Sequence, residues 1–173
     1  YVSAAALQLH SVALGSDLSS IASQLKNAVP EKVAVPSDGA RPAVPAGLKA
    51  ARKYQRLYRL TRRGGQPFMV TDVWLDAAMY RRSPQRFEKE VALAVLMELA
   101  GTRAIRRVRQ TLTVDVAGPE LADLLGRAAH SAVAELQVLL ADRRDTAVYL
   151  GTLTFPAELV RVEFDGDDRG RAR

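Results

Sequence analysis

The stretch RLYRLTRRGGQPFMVTD, residues 56–72, sets the reading of this chain. Residues 53–62 and 66–76 are rich in Tyr, Leu, Phe, Val and Trp, and Arg-Gly-Gly-Gln between them is a turn sequence, so the two segments read as a β-hairpin. Arg56, Arg59, Arg62 and Arg63 crowd its strand and turn. They pose the functional question at once: whether the hairpin reads nucleic acid or holds something smaller.

Toward the amino terminus, SDLSSIASQLKNA, residues 16–28, predicts a short amphipathic helix. Ser16 can cap it, Asp17 suits its positive end, and Leu18, Ile21, Ala22 and Leu25 share one face. Half of the eight prolines fall between residues 30 and 45, which predicts a strand and turns there, with a short helical turn over 46–52. Toward the carboxy terminus, Ser83-Pro84 opens a helix with Ser as its cap; Phe87, Val91, Val95 and Leu99 form its buried stripe and Gly101 ends it. Residues 104–115 predict a long strand with Val108, Leu112 and Val114 on one face. Gly118-Pro119 starts a short helix built on Leu121, Leu124 and Leu125. Strands over 131–142, 146–155 and 157–164 close the chain as a meander. This order gives an α+β fold, an antiparallel β-sheet flanked by short helices, and not an alternating βαβ pattern.

Composition narrows the function classes. A chain of 173 residues is long enough for one well-buried domain. The formal charge of +6 permits polyanion binding, but it is scattered: Arg62-Arg63, Arg106-Arg107, Arg143-Arg144 and the terminal Arg169, Arg171 and Arg173 sit mostly at turns and ends, as a solvated rim does. No apolar run reaches the length of a membrane span and no signal peptide is evident, so a cytoplasmic protein fits best. Without cysteine there is no disulfide framework and no thiolate metal site. His10 and His130 lie far apart with no carboxylate at ligand spacing, so no metal is expected, and no fingerprint for a cofactor is present. Asp72, Asp76, Glu88 and Glu90 flank a turn or open a helix, where acids are usually solvated. Tyr54, Tyr58, Trp74 and Tyr149 read as sheet core sooner than as a base-stacking platform. No signature of a helix-turn-helix, an RNA-recognition sheet or a KH loop appears.

Four blocks, in order, carry a family resemblance. R-L-Y-R-L-T-R-R-G-G-Q-P-F resembles the "R-l-R-x-x-d-G-x-P" hairpin of the UTRA domain, the effector-binding half of regulators in the HutC branch of the GntR family, similar in fold to chorismate lyase. VALAVLMELAGTRAIRRVRQTLTVDVAGPELADLL resembles the family's middle helix and strand, AELQVLLADRRDTAVYLGTLTF its penultimate hairpin, and ELVRVEFD its closing strand. The resemblance implies a ligand-binding domain over residues 11–165, a linker over 1–10 and a flexible polar tail over 166–173. It also implies a winged helix-turn-helix preceding the domain, since Tyr1-Val2-Ser3 looks like the end of such a wing.

Carried over by position, the first arginine of the hairpin motif is Arg59, which can fork two hydrogen bonds to a carboxylate or phosphate. Ser16, with the backbone amides of Asp17 and Leu18, lies at a helix amino terminus suited to an anion. The second motif arginine is Thr61 here, and the glutamate after the motif proline is Thr71. Val91 replaces a small polar residue, and Val148 replaces the acid before the late Tyr149. The resemblance thus implies a site of Arg59, Thr61, Thr71, Ser16, Asp17 and Tyr149 for a small, partly apolar ligand carrying one carboxylate. Arg56, Arg62 and Arg63 are expected to face solvent or a partner.

Three functions follow. The leading one is a ligand-sensing, dimerising domain of a GntR/HutC-type regulator, acting on operator DNA through an amino-terminal domain absent from this chain. The alternative is a chorismate-lyase-like enzyme acting on a small carboxylate, which needs a catalytic acid where Thr71 and Val148 stand. The third is a nucleic-acid binder driven by charge, which predicts steeply salt-dependent DNA binding.

Overall fold

A computed structural model describes residues 11–15 and 17–164. In chain order the strands are β1 (Val12–Leu14), β2 (Val29–Lys32), β3 (Lys49–Ala50), β4 (Tyr54–Arg63), β5 (Gln66–Asp76), β6 (Ile105–Val116), β7 (Ala132–Asp142), β8 (Thr146–Pro156) and β9 (Val160–Val162). The helices are α1 (Leu18–Leu25), α2 (Ala77–Tyr80), α3 (Pro84–Lys89), α4 (Ala92–Ala104) and α5 (Pro119–Leu124).

The hairpin forms as β4 and β5 because Gly64 and Gly65 both adopt positive φ, 56° and 77°, which a two-residue turn with the strands' own twist demands. One sheet follows, in the order β2-β4-β5-β8-β7-β6 and antiparallel throughout, with β3 added parallel to β8. The period of two then sorts side chains between its faces. Leu57, Val73, Leu75, Leu136, Val138, Leu140 and Tyr149 point to one face and pack with Ile21 and Leu25 of α1, Phe87 of α3, and Leu93 and Leu96 of α4. A smaller cluster on the opposite face joins Leu60, Val70 and Val133 to Ala122 of α5 and to Leu125 just beyond it. The expected α+β class and antiparallel sheet are thus observed.

Several local expectations are corrected. The first helix is capped by Asp17, whose Oδ1 accepts from the Ser19 amide at 3.0 Å; Ser16 lies outside the described residues, as do 1–10 and the tail from 165 on. Residues 46–52 give a turn and β3 instead of a helical turn, because pairing with β8 satisfies that backbone. The helix opened at Ser83 is two helices. Glu90 is extended (φ −119°, ψ 164°), and Ser83 makes no side-chain cap. Arg86 spans the break, donating to Glu90 at 2.8 and 2.7 Å and to Glu98 at 2.7 Å. Gly101 (φ 64°) marks a kink, and the helix resumes as far as Ala104. The last segment does not extend the meander: Ala157–Leu159 turns as a 3-10 helix, and β9 pairs in parallel with β1 in a separate two-stranded sheet. No described helix is long and apolar enough to cross a membrane.

Candidate functional site

Arg59 and Thr71 are register partners on β4 and β5, and Thr61 is the next residue along β4 on the same, helix-covered face. All three are buried, with 8%, 6% and 1% of their surface exposed respectively. A buried arginine needs an anion, and here it is Glu88 of α3, whose Oε2 accepts from Arg59 Nη2 at 3.0 Å. Register explains a second contact. Lys32 of β2 lies directly opposite Arg59, a like-charged cross-strand pair that would repel by itself. Glu88 settles between them, with Lys32 Nζ at 2.7 Å and the Tyr80 hydroxyl donating to its other oxygen at 2.8 Å. The cluster is still incomplete. Arg59 Nε and Thr61 Oγ1 are buried with no hydrogen-bond partner, a costly state for polar atoms that a bound group would relieve.

Burial pushes the Glu88 carboxyl up, but hydrogen bonds from Lys32 and Tyr80 and the charge of Arg59 outweigh it and hold the group below its ordinary value. The sign of the linkage follows: with its folded value depressed, Glu88 contributes stability that is present above its unfolded value and lost as pH falls through the folded one. Thermal midpoints recorded from about pH 7 down to about pH 3 should therefore fall less steeply for Glu88→Gln than for the wild type. Parallel curves would show that the carboxylate is not held as described.

Tyr149, on β8, faces the same side of the sheet and is 1% exposed; burial raises its hydroxyl well above the ordinary tyrosine value. Its ring folds over Gly151, where an added Cβ would lie 2.5 Å from the ring. The structure thus brings Arg59, Thr61, Thr71 and Tyr149 to one face. Asp17 is different: its side chain caps α1, and its carbonyl accepts from Ile21. It is the other end of α1 that touches the hairpin, where Arg63 donates to the Gln24 carbonyl at 2.6 Å. Glu88 was read as a solvated acid, and Lys32 and Tyr80 escaped sequence reasoning, because three different elements supply them. The usable signal was Phe87, whose burial at 1% exposure seats α3 and brings its neighbour Glu88 to the sheet.

The remaining hairpin arginines are more engaged than expected. Arg56 clamps Asp72 through Nε and Nη2 at 2.9 and 2.7 Å and stacks on Trp74 at 4.9 Å. Arg63 lies 3.9 Å from the centre of the Phe68 ring. Arg62 meets Glu31 at the surface. On the sheet face away from α3 and α4, a groove of about 360 Å³ is lined by Arg41, Trp74, Arg109, Thr111, Gln137 and Thr152, among others, and by none of the expected site residues.

At the far edge of the sheet, β6 extends the core face beyond its helical cover. Val108, Leu112, Val114 and Val116 align with Leu140, Leu136, Ala134 and Ala132 of β7 yet are 50%, 38%, 69% and 56% exposed. The expected apolar face of this strand exists, but nothing in the described chain buries it.

The chain belongs to the UTRA domain family, whose model matches residues 37–161, more than two thirds of its length. No curated protein matches it. Among solved structures it is similar to PhnF from Mycobacterium smegmatis, at 17% identity and a TM-score of 0.64 over 92% of this chain and 73% of that one. The effector domain of the same protein gives 17% identity and 0.64, over 90% of this chain and 99% of that one. YydK from Bacillus subtilis subsp. subtilis str. 168 gives 12% identity and 0.68, over 91% and 68%. A ligand-binding domain from Bordetella bronchiseptica, described as part of a GntR-family transcriptional regulator, gives 16% and 0.54, over 66% and 72%. At these identities the likeness establishes the fold.

Proposed function

We propose that this chain is the effector-binding and dimerisation domain of a GntR-family, HutC-type transcription regulator, with a small carboxylate held at Arg59. The observation that carries the reading is the buried Arg59–Thr61–Thr71 group, whose Arg59 Nε and Thr61 Oγ1 have no partner. Family membership and the fold shared with effector domains support it. The effector would control an amino-terminal winged helix-turn-helix by favouring one arrangement of the dimer over another, which requires unequal affinity for the two. The exposed apolar face of β6 supports a second copy of the chain as the partner.

The enzyme reading finds little support. Thr71 stands where an acid is needed, Val148 is buried and apolar, and the acid beside Arg59 has its carboxyl held below the ordinary range, which suits an ionised partner and not a proton donor.

The test is a thermal-shift screen against carboxylic acids, amino acids, sugar phosphates and aromatic acids. A ligand of the folded state at a hundredfold excess over its dissociation constant stabilises by about 2.7 kcal/mol. We expect a hit among the carboxylates that disappears in Arg59→Met. A hit that survives this substitution would move the site elsewhere, and the outer groove with Arg41 and Arg109 would be the next place to look.

A further inference from the structure

Arg59 is poorly served by its present partner. In this chain a well-paired arginine presents its Nε–Nη2 edge to both oxygens of a carboxylate: Arg56 does so with Asp72 at 2.9 and 2.7 Å, and Arg86 with Glu90 at 2.8 and 2.7 Å. Arg59 uses only half of that edge. Its Nη2 meets Glu88 at 3.0 Å, Nη1 donates to the Tyr58 carbonyl at 3.0 Å, and Nε is buried without a partner. The other oxygen of Glu88 is taken by Tyr80, so Glu88 cannot turn both oxygens to Arg59 without losing that bond. Thr61 Oγ1, buried and also unpartnered, lies two residues further along the strand, at about 7 Å of strand rise.

From this geometry we infer that Glu88 is a resident carboxylate standing in for the effector, and that the effector is a small carboxylate which displaces it from Arg59. The inference rests on the reading of Arg59 as the effector arginine for a small carboxylate and adds to it the resident competitor. The incoming carboxylate takes the Nε–Nη2 edge side-on, a two-point contact where Glu88 makes one. A hydroxyl or amide of the ligand reaches Thr61, beside the buried apolar residues Leu57, Val73 and Tyr149 on the same face. Lys32 gives the displaced side chain somewhere to go. Its own side chain is 70% exposed and already 2.7 Å from Glu88, so the pair can swing together toward solvent. Release also costs Tyr80 its carboxylate partner, and α3 carries Glu88 without a side-chain cap at Ser83. Effector binding is thereby coupled to the seating of a six-residue helix. The apparent affinity is lowered by the fraction of molecules in which Glu88 holds the site.

Isothermal titration with sodium benzoate tests this, with benzamide as the uncharged control and inorganic phosphate as the other anion. Wild type, Glu88→Gln, Glu88→Ala, Arg59→Met and the Arg59→Met/Glu88→Gln double variant are compared after circular dichroism shows each folded. The expected result is benzoate binding about tenfold tighter to both Glu88 variants than to wild type, the gain from removing one charged competitor. No benzoate binding should remain in either Arg59→Met protein, and benzamide should not bind. Equal benzoate affinity in wild type and the Glu88 variants, with loss on Arg59→Met, would overturn the resident carboxylate and leave the Arg59 site standing. Binding that survives Arg59→Met would overturn the Arg59 site and the inference together. Binding of phosphate in place of benzoate, or of neither by folded Glu88 variants, would overturn the carboxylate class.

Discussion

Gly151→Ala is expected to destabilise the domain by about 3 kcal/mol, near the upper end for adding one methyl to a filled core. The added Cβ would lie 2.5, 2.6 and 2.7 Å from Cε1, the hydroxyl oxygen and Cζ of Tyr149. Those atoms are the far end of a side chain, which elsewhere could step aside. Here the ring is 1% exposed, and its neighbours on the face include Leu75 and Leu140, the cross-strand partners of Tyr149, each fully buried. Relief therefore requires moving the sheet or repacking it. The prediction has an internal control. In a Tyr149→Leu background the same alanine should cost far less, because the obstructing ring is gone, and the two substitutions should be strongly non-additive. Urea unfolding midpoints of the four proteins give the coupling directly. If Gly151→Ala unfolds within about 0.5 kcal/mol of wild type, the ring is free to move and its place over Gly151 is not fixed.

That contact also shows what sequence could and could not deliver. Tyr149 and Gly151 are two residues apart on a strand, so their shared face is legible from the period of two. The ring lying over the glycine is not, because it depends on what fills the space around it. The hairpin was readable from Gly64-Gly65 and its flanking apolar residues, and with it the antiparallel sheet. The break at Glu90 was hidden because Phe87, Val91 and Val95 keep a helical spacing across it, and all three are buried. Periodicity reports which residues face the core, and two short helices meeting at an extended residue can serve that demand as well as one long helix. Arg59, Thr61 and Thr71 were placed by resemblance, and strand register accounts for their shared face. Glu88 was set aside as a solvated acid because its partners, Lys32, Arg59 and Tyr80, come from sequence positions that only the folded sheet brings together. For β6 the pattern was read correctly and its meaning was not. An apolar stripe tells which face seeks cover, not whether the same chain supplies it.

Lysine at positions 112 and 114 is therefore expected to separate the proposed dimer into monomers. Antiparallel pairing of β6 with β6 of a second copy would satisfy an edge of twelve residues and bring two exposed valine–leucine stripes together. Charge favours this arrangement as well. Arg106, Arg107 and Arg109 occupy one half of the strand and Asp115 the other, so an antiparallel partner sets each basic half against the acidic end of its mate. Pairing centred on Thr111 would put Val114 opposite Val108 of the second copy. A lysine at 114 would then be buried in the seam next to Arg106 of that copy, an unpaired charge beside a like one. With Leu112→Lys added, association should weaken by about a hundredfold or more. The isolated fold should hardly notice, because Leu112 and Val114 are 38% and 69% exposed in the single chain. Sedimentation velocity over a dilution series separates the two effects from a general loss of fold. A dimer that persists unchanged in the double-lysine protein would assign the interface to another surface. A wild type that stays monomeric at every concentration would remove the dimer from the proposed mechanism, since an effector at Arg59 would then have no second arrangement of subunits to select.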